Sequence, residues 1–145
     1  MGQQQLLLVI LVTIIVGIAT VVAINTFGTA ADSANLDAVR QDVAQIAAAS
    51  QSFYMKPTML GGGGRSFSAV TFNDFAFAAS DISDDGLTAV NENGRYVITQ
   101  ADQEFTVTAH PASDATYGPG LTGAAATETL DATVSPNDMA WDTGT

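Results

Sequence analysis

The sequence contains no cysteine. That removes disulfide stapling, thiol nucleophiles and zinc–thiolate clusters from consideration. Positive charge is scarce as well: 4 Lys and Arg stand against 15 Asp and Glu, for a formal net charge of −11. A nucleic-acid partner needs a basic footprint, so this balance argues against one. Proline is absent before Pro57, and no ionisable side chain occurs before Asp32. The 145 residues allow one small domain with an appendage.

The uncharged start reads QQQLLLVILVTIIVGIATVVAIN, with an apolar run over Leu6–Ile24. That length fits the roughly 20 residues needed to cross a bilayer. A cleaved secretory signal fits less well. The run exceeds a usual h-region, no basic n-region precedes it, and Ala30 and Ala31 are the nearest small residues to a cleavage point. The helical pattern also continues beyond it. Leu36, Val39, Val43, Ile46 and Phe53 recur at helical spacing, while Asp37, Arg40, Gln41 and Gln45 fall on other faces. The Ala-rich AQIAAAS favours helix, and Pro57 with Gly61–Gly64 ends it. An apolar half surrounded on every side thus leads into an amphipathic half with one face for a domain.

The stretch RSFSAVTFNDFAFAAS, residues 65–80, predicts packed connecting structure, partly helical. Strand signals follow in LTAV, RYVITQ, EFTVTAHP and TETLDATV, separated by the turn residues NENG and ADQ and by a Gly/Pro/Ala loop over 118–126. The tail SPNDMAWDTGT reads as turn-like with a buried Trp141. The predicted fold is α+β: a long N-terminal helix packed on a small antiparallel sheet of about four strands. Its segments are 1–2 (processing remnant), 3–30 (apolar helix), 31–56 (amphipathic helix) and 57–145 (acidic β-rich head).

This layout resembles the type IV pilin superfamily. The carriers are Gly2 before a short polar start and the apolar run, the amphipathic helix that follows directly, and the hairpin RYVITQADQEFTVTAHP. The resemblance implies cleavage after Gly2 by a prepilin peptidase, leaving Gln3 at the mature N-terminus. It implies a single-pass membrane precursor, export of the head, and assembly by dedicated machinery into a cell-surface homopolymer. The filament core would be built by Gln3, Gln4, Gln5, Leu6, Leu7, Val9, Ile10, Ile14, Gly17, Ile18, Val21 and Val22. The chain departs from the family in three places. Leu7 occupies the position usually held by glutamate, no proline ends the run, and only Met1 precedes Gly2. Without the glutamate, a free amine at Gln3 would be a buried charge that is costly to leave unpaired. The expectation is cyclisation of Gln3 to neutral pyroglutamate, or a hydrogen-bond network among the three glutamines. A pseudopilin or minor pilin, and a monomeric membrane-tethered binding module, are the alternatives.

DISDDGLTAVNE, residues 81–92, matches a calcium loop at Asp81, Ser83, Asp85, Gly86 and Glu92. Major pseudopilins carry calcium in a comparable region, although a solvated acidic turn explains the same residues. No cofactor is otherwise required. His110, the one histidine, reads as structural, and Lys56, Arg65 and Arg95 read as local salt-bridge partners of small individual worth. Tyr54, Tyr96, Tyr117 and Trp141 read as core or subunit-interface residues. GGGGR lacks the Lys-Ser/Thr of a phosphate loop. With no nucleophile–base pair and no complete metal triad, the expectation is a non-enzyme.

Overall fold

The computed structural model describes residues 2–142; Met1 of the expected processing remnant lies outside them. A helix α1 covers Gly2–Met55, followed by a 3₁₀ turn at Thr58–Leu60. The chain divides into two compact units after Ala34.

The unit from Asn35 onward is α+β. The α1 residues Val39, Val43, Ile46, Ala47, Ser50 and Phe53 are buried, which realises the helical stripe read from the sequence except at Leu36, which is only half-buried, and adds two small members to it. Ala47 and Ser50 lie on the same face and let the sheet approach. The Ser50 hydroxyl is satisfied by donating to the Ala47 carbonyl at 2.8 Å, so its burial leaves no polar group unpaired. Each large apolar side chain in this stripe contributes about 1.5–3 kcal/mol by leaving water.

The sheet has six strands rather than about four: β1 (Asp81–Ile82), β2 (Thr88–Val90), β3 (Gly94–Thr99), β4 (Phe105–Pro111), β5 (Leu130–Val134) and β6 (Met139–Asp142). Spatial order follows chain order and every neighbouring pair is antiparallel. The period of two sends Tyr96, Ile98, Phe105, Val107, Ala109, Ala132 and Val134 into one core with the α1 stripe. Register aligns them, with Ile98 opposite Val107 and Val107 opposite Ala132.

Three expectations are corrected here. The tail begins with the expected turn, closed where Ser135 N donates to Asp138 O at 2.9 Å, but Met139–Asp142 form strand β6, on which Trp141 is 37% exposed rather than buried; residues 143–145 lie outside the described residues. Residues 65–80 contain no helix. They form an irregular strap of successive turns, pinned where Phe67 N donates to Asp102 O and Phe72 N to Gly86 O, each at 2.8 Å. The phenylalanines of that strap pack as expected: Phe67 and Phe72 are buried, with ring centroids 5.1 Å between Phe67 and Phe105 and 5.3 Å between Phe77 and Tyr96. Finally, Arg95 is a buried residue and forms no salt bridge among the described residues, where the one ion pair is Arg40–Asp37 at 2.9 Å.

Candidate functional site

The exposure of the apolar segment is the largest anomaly among the described residues. Leu6, Leu7, Val9, Ile10, Ile14, Ile18, Val21 and Val22 are all exposed, and so are Gly2, Gln3, Gln4, Gln5 and Gly17. No part of its most apolar window is buried, and the helix is long and apolar enough to cross a membrane. Isolated exposed leucines are ordinary, whereas a helix apolar on every side requires apolar surroundings on every side. Its polar atoms are already satisfied. Thr13 Oγ1 donates to Ile10 O at 2.8 Å, Thr20 Oγ1 to Val16 O at 2.8 Å, and Thr26 Oγ1 to Val22 O at 2.9 Å. With the Thr13 and Thr20 hydroxyls turned back on the helix and no ionisable side chain, transfer of Leu6–Ile24 into an apolar medium leaves no side-chain polar group of that run unpaired. The threonine back-bonds escaped the sequence reading, although hydroxyl residues inside an apolar run are the signal for them. A Cβ at Gly17 would meet nothing within 4 Å, so α1's own fold places no demand for glycine there.

The residues matched to a calcium loop are separated by the hairpin that carries them. Asp81 lies in β1 opposite Val90, and the β1–β2 turn holds Ser83, Asp85 and Gly86. Glu92 falls beyond β2, in the β2–β3 turn at the other end of that strand. Position twelve therefore does not close on positions three and five. Ser83 Oγ instead donates to Asp85 Oδ1, which also accepts from Leu87 N at 3.0 Å. These bonds, the Ser83 one foremost, hold the Asp85 carboxyl below the usual carboxylate range. Among the described residues no group of three His, Cys, Asp or Glu is placed to hold a metal ion. Gly86 keeps its conformational role, with φ of 71°.

Two polar clusters were not foreseen. Asp42 on α1 accepts at one oxygen, Oδ2, from Asn91 Nδ2 and Asn93 Nδ2 at 2.8 Å and from the Tyr96 hydroxyl at 2.6 Å. Burial first, and the Asp42 carboxylate second, push the Tyr96 phenol far above its ordinary value. The second cluster lies on the opposite face of the sheet. Arg95 donates to Gly123 O at 2.7 Å and to Gly120 O at 3.3 Å, with its guanidinium 5.9 Å from the centre of the Tyr117 ring. Its cross-strand neighbour is His110, whose Nδ1 is buried without a partner. Desolvation, then Arg95, lowers the His110 pKa, against a smaller opposing pull from Asp131. Nearby, Asp114 collects Glu128 N at 2.8 Å and Thr116 N at 2.7 Å, which bring its carboxyl down to about 2.

These clusters brace the head; neither offers a nucleophile beside a base. Comparison with known protein families, curated proteins and solved structures returned no match.

Proposed function

We propose that this chain is a structural subunit of an extracellular type IV pilus-like helical filament that polymerises through its N-terminal helix. The reading rests on one observation: the apolar segment Leu6–Ile24 is exposed on all sides within a helix whose later turns carry an acidic α+β head. Lipid supplies suitable surroundings before assembly, and identical helices supply them afterwards. Exchange of lipid for helix contacts gains no hydrophobic burial, so it depends on close packing, which a glycine such as Gly17 permits.

In this reading cleavage follows Gly2, and Gln3 becomes the mature N-terminus. The precursor is a single-pass membrane protein whose head is exported. Prepilin peptidase and an assembly motor act on it, and its role is scaffolding rather than catalysis. The amine left at Gln3 is neutralised by cyclisation or held by the amide oxygens of Gln4 and Gln5.

Shearing of intact cells tests the proposal. Fibres containing the chain in the supernatant, with an N-terminus at Gln3 by mass, are the expected result. A chain that stays in the membrane fraction as a detergent-soluble monomer, with no fibres by electron microscopy, overturns it.

A further inference from the structure

The head carries an exposed apolar knob just past the end of α1. Met59 is 95% exposed, and Met55 and Leu60 are exposed beside it. The backbone that presents them is tied down. Leu60 N and Gly62 N donate to Pro57 O at 3.0 and 3.1 Å, Gly61 N to Thr58 O at 3.0 Å, and Gly63 N to Phe53 O at 2.8 Å. The apolar groups are therefore held outward by a fixed turn, with no segment of the described head covering them.

Charge singles out the same place. Of the four cationic side chains, Arg40 is paired with Asp37 and Arg95 is buried against backbone carbonyls. The other two, Lys56 and Arg65, are exposed, and they flank the knob in sequence. On a chain of net charge −11, a basic and apolar projection is complementary to the rest of the protein itself.

A matching recess lies toward the other end of the head's helical segment. A groove of about 410 Å³ is lined by Asp42, Ala78, Ala79, Ser80 and Glu92, with Asn91 and Asn93 alongside. Small uncharged side chains offer apolar contact for an unbranched methionine, and the Asp42 and Glu92 carboxylates offer a counter-charge for a lysine. Asp42 and Met55 on the shared helix are separated by about 20 Å at 1.5 Å per residue. The knob cannot reach its own groove, but it can reach that of another copy.

We infer that heads of this chain dock head-to-tail, with the Met59 knob of one copy seated in the Asp42–Glu92 groove of the next and Lys56 facing Glu92. Such a contact is heterologous rather than two-fold, and when its rotation does not close into a ring it propagates a filament. It deepens the filament proposal and rests on it, by naming where the heads touch.

The absence of native cysteine makes the test clean. Met59 and Ala78 are both exposed, so Met59→Cys and Ala78→Cys leave the core intact. Their separation in one chain exceeds disulfide reach. Intact cells displaying the full-length double variant are oxidised, and the products are run on a denaturing gel while sheared material is imaged. A ladder of covalent multimers from the double variant, absent from both single variants, is the expected result. Lys56→Glu reduces the ladder at least tenfold, and adding Glu92→Lys restores it.

Fibres without any ladder overturn the head-to-tail contact and leave the filament proposal standing. A ladder without fibres supports the contact and removes the filament proposal. Dimers from Met59→Cys alone show knob-to-knob pairing and overturn the inference. So does Met59-dependent flotation of the full chain on phosphatidylglycerol vesicles, since lipid is then the occupant.

Discussion

The Tyr96 hydroxyl donates to Asp42 Oδ2 at 2.6 Å, which ties the centre of the sheet to α1 by a charge-assisted bond at the margin of the core. Asn91 and Asn93 converge on the same oxygen, so the β2–β3 turn is held by the same atom.

Removing that atom leaves three donors unmatched. Asp42→Ala is expected to cost about 3 kcal/mol, and Tyr96→Phe about 1–2 kcal/mol, because the latter removes donor and desolvation penalty together. Denaturant unfolding of the full chain in detergent, followed by Trp141 fluorescence, measures both. Equal losses for the two variants would refute the hub role of Asp42. The raised phenol adds a pH signature. Its stabilising contribution is complete below about pH 10, the unfolded value, and is lost as pH rises toward the higher folded value. Phenolate absorbance should therefore report Tyr96 only as the head unfolds.

Arg95 offers a second test, because its partners are carbonyls rather than an acid. One guanidinium nitrogen, Nη1, donates to both Gly120 O and Gly123 O while the planar group lies against Tyr117, and a lysine ammonium has neither that reach nor a flat face to lay on the ring. Arg95→Lys is expected to lose about 1.5 kcal/mol and Arg95→Ala about 2–3 kcal/mol. Hydrogen exchange at the Gly118 amide, bonded to Ala124 O at 2.9 Å, should accelerate in both. Unchanged exchange would show that the loop holds itself.

Acid sensitivity should arrive in two stages. His110 has a folded pKa below its ordinary 6.5, so the unfolded chain takes up its proton first. Stability present above pH 6.5 declines as pH falls toward the depressed value. Asp114 sits at about 2 against 3.8, so its contribution is present above pH 3.8 and lost as pH falls toward 2. His110→Phe should flatten the first stage and Asp114→Asn the second, in melting temperatures taken from pH 7 to pH 2. A single sigmoid that neither variant alters would contradict this assignment.

Periodicity made the skeleton legible before any coordinate. The spacing of Val39, Val43, Ile46 and Phe53 marked the face that became the core, and alternation in RYVIT and FTVTA marked the two central strands. The edge strands were opaque for physical reasons. β1 is too short to show a period, and β6 alternates Met139 and Trp141 only after Pro136 and Asn137, which read as turn. The matched calcium residues are not gathered in one loop, because spacing along a chain says nothing of a hairpin that carries positions five and twelve to different turns. The Asp42 hub joins residues 54 apart, and no local pattern encodes such a pairing. Arg95 looked like a surface cation because its burial depends on a loop that arrives more than twenty residues later.

The glycine run gives a test of turn rigidity. A Cβ at Gly63 would meet Phe53 Cε1 at 2.9 Å and the Ser66 carbonyl closer still, whereas at Gly61 it would meet nothing and only the φ of 73° resists it. Gly63→Ala should cost about 1–3 kcal/mol through overpacking, and Gly61→Ala about 1–2 kcal/mol through left-handed backbone strain. Only the first should perturb the Phe53 packing, visible as shifted ring resonances. A neutral Gly63→Ala would mean that the run is a loose linker.

The apolar segment gives the sharpest separation between fold and assembly. Ile14 is exposed and lies in the unit that precedes Asn35, so the head core contains no contact that depends on it. Ile14→Asp places a carboxylate midway along the run, at a cost of about 2.5–3.5 kcal/mol on insertion scales. A bundle of identical helices would bury the same charge once per subunit. The expected outcome is loss of fibres from sheared material, with the unfolding midpoint of the head unchanged. Ile14→Leu keeps volume and polarity and should form fibres normally. If Ile14→Asp still assembled, the segment would be facing water or a polar lumen, and the packed apolar core at the centre of the proposal would have to be abandoned.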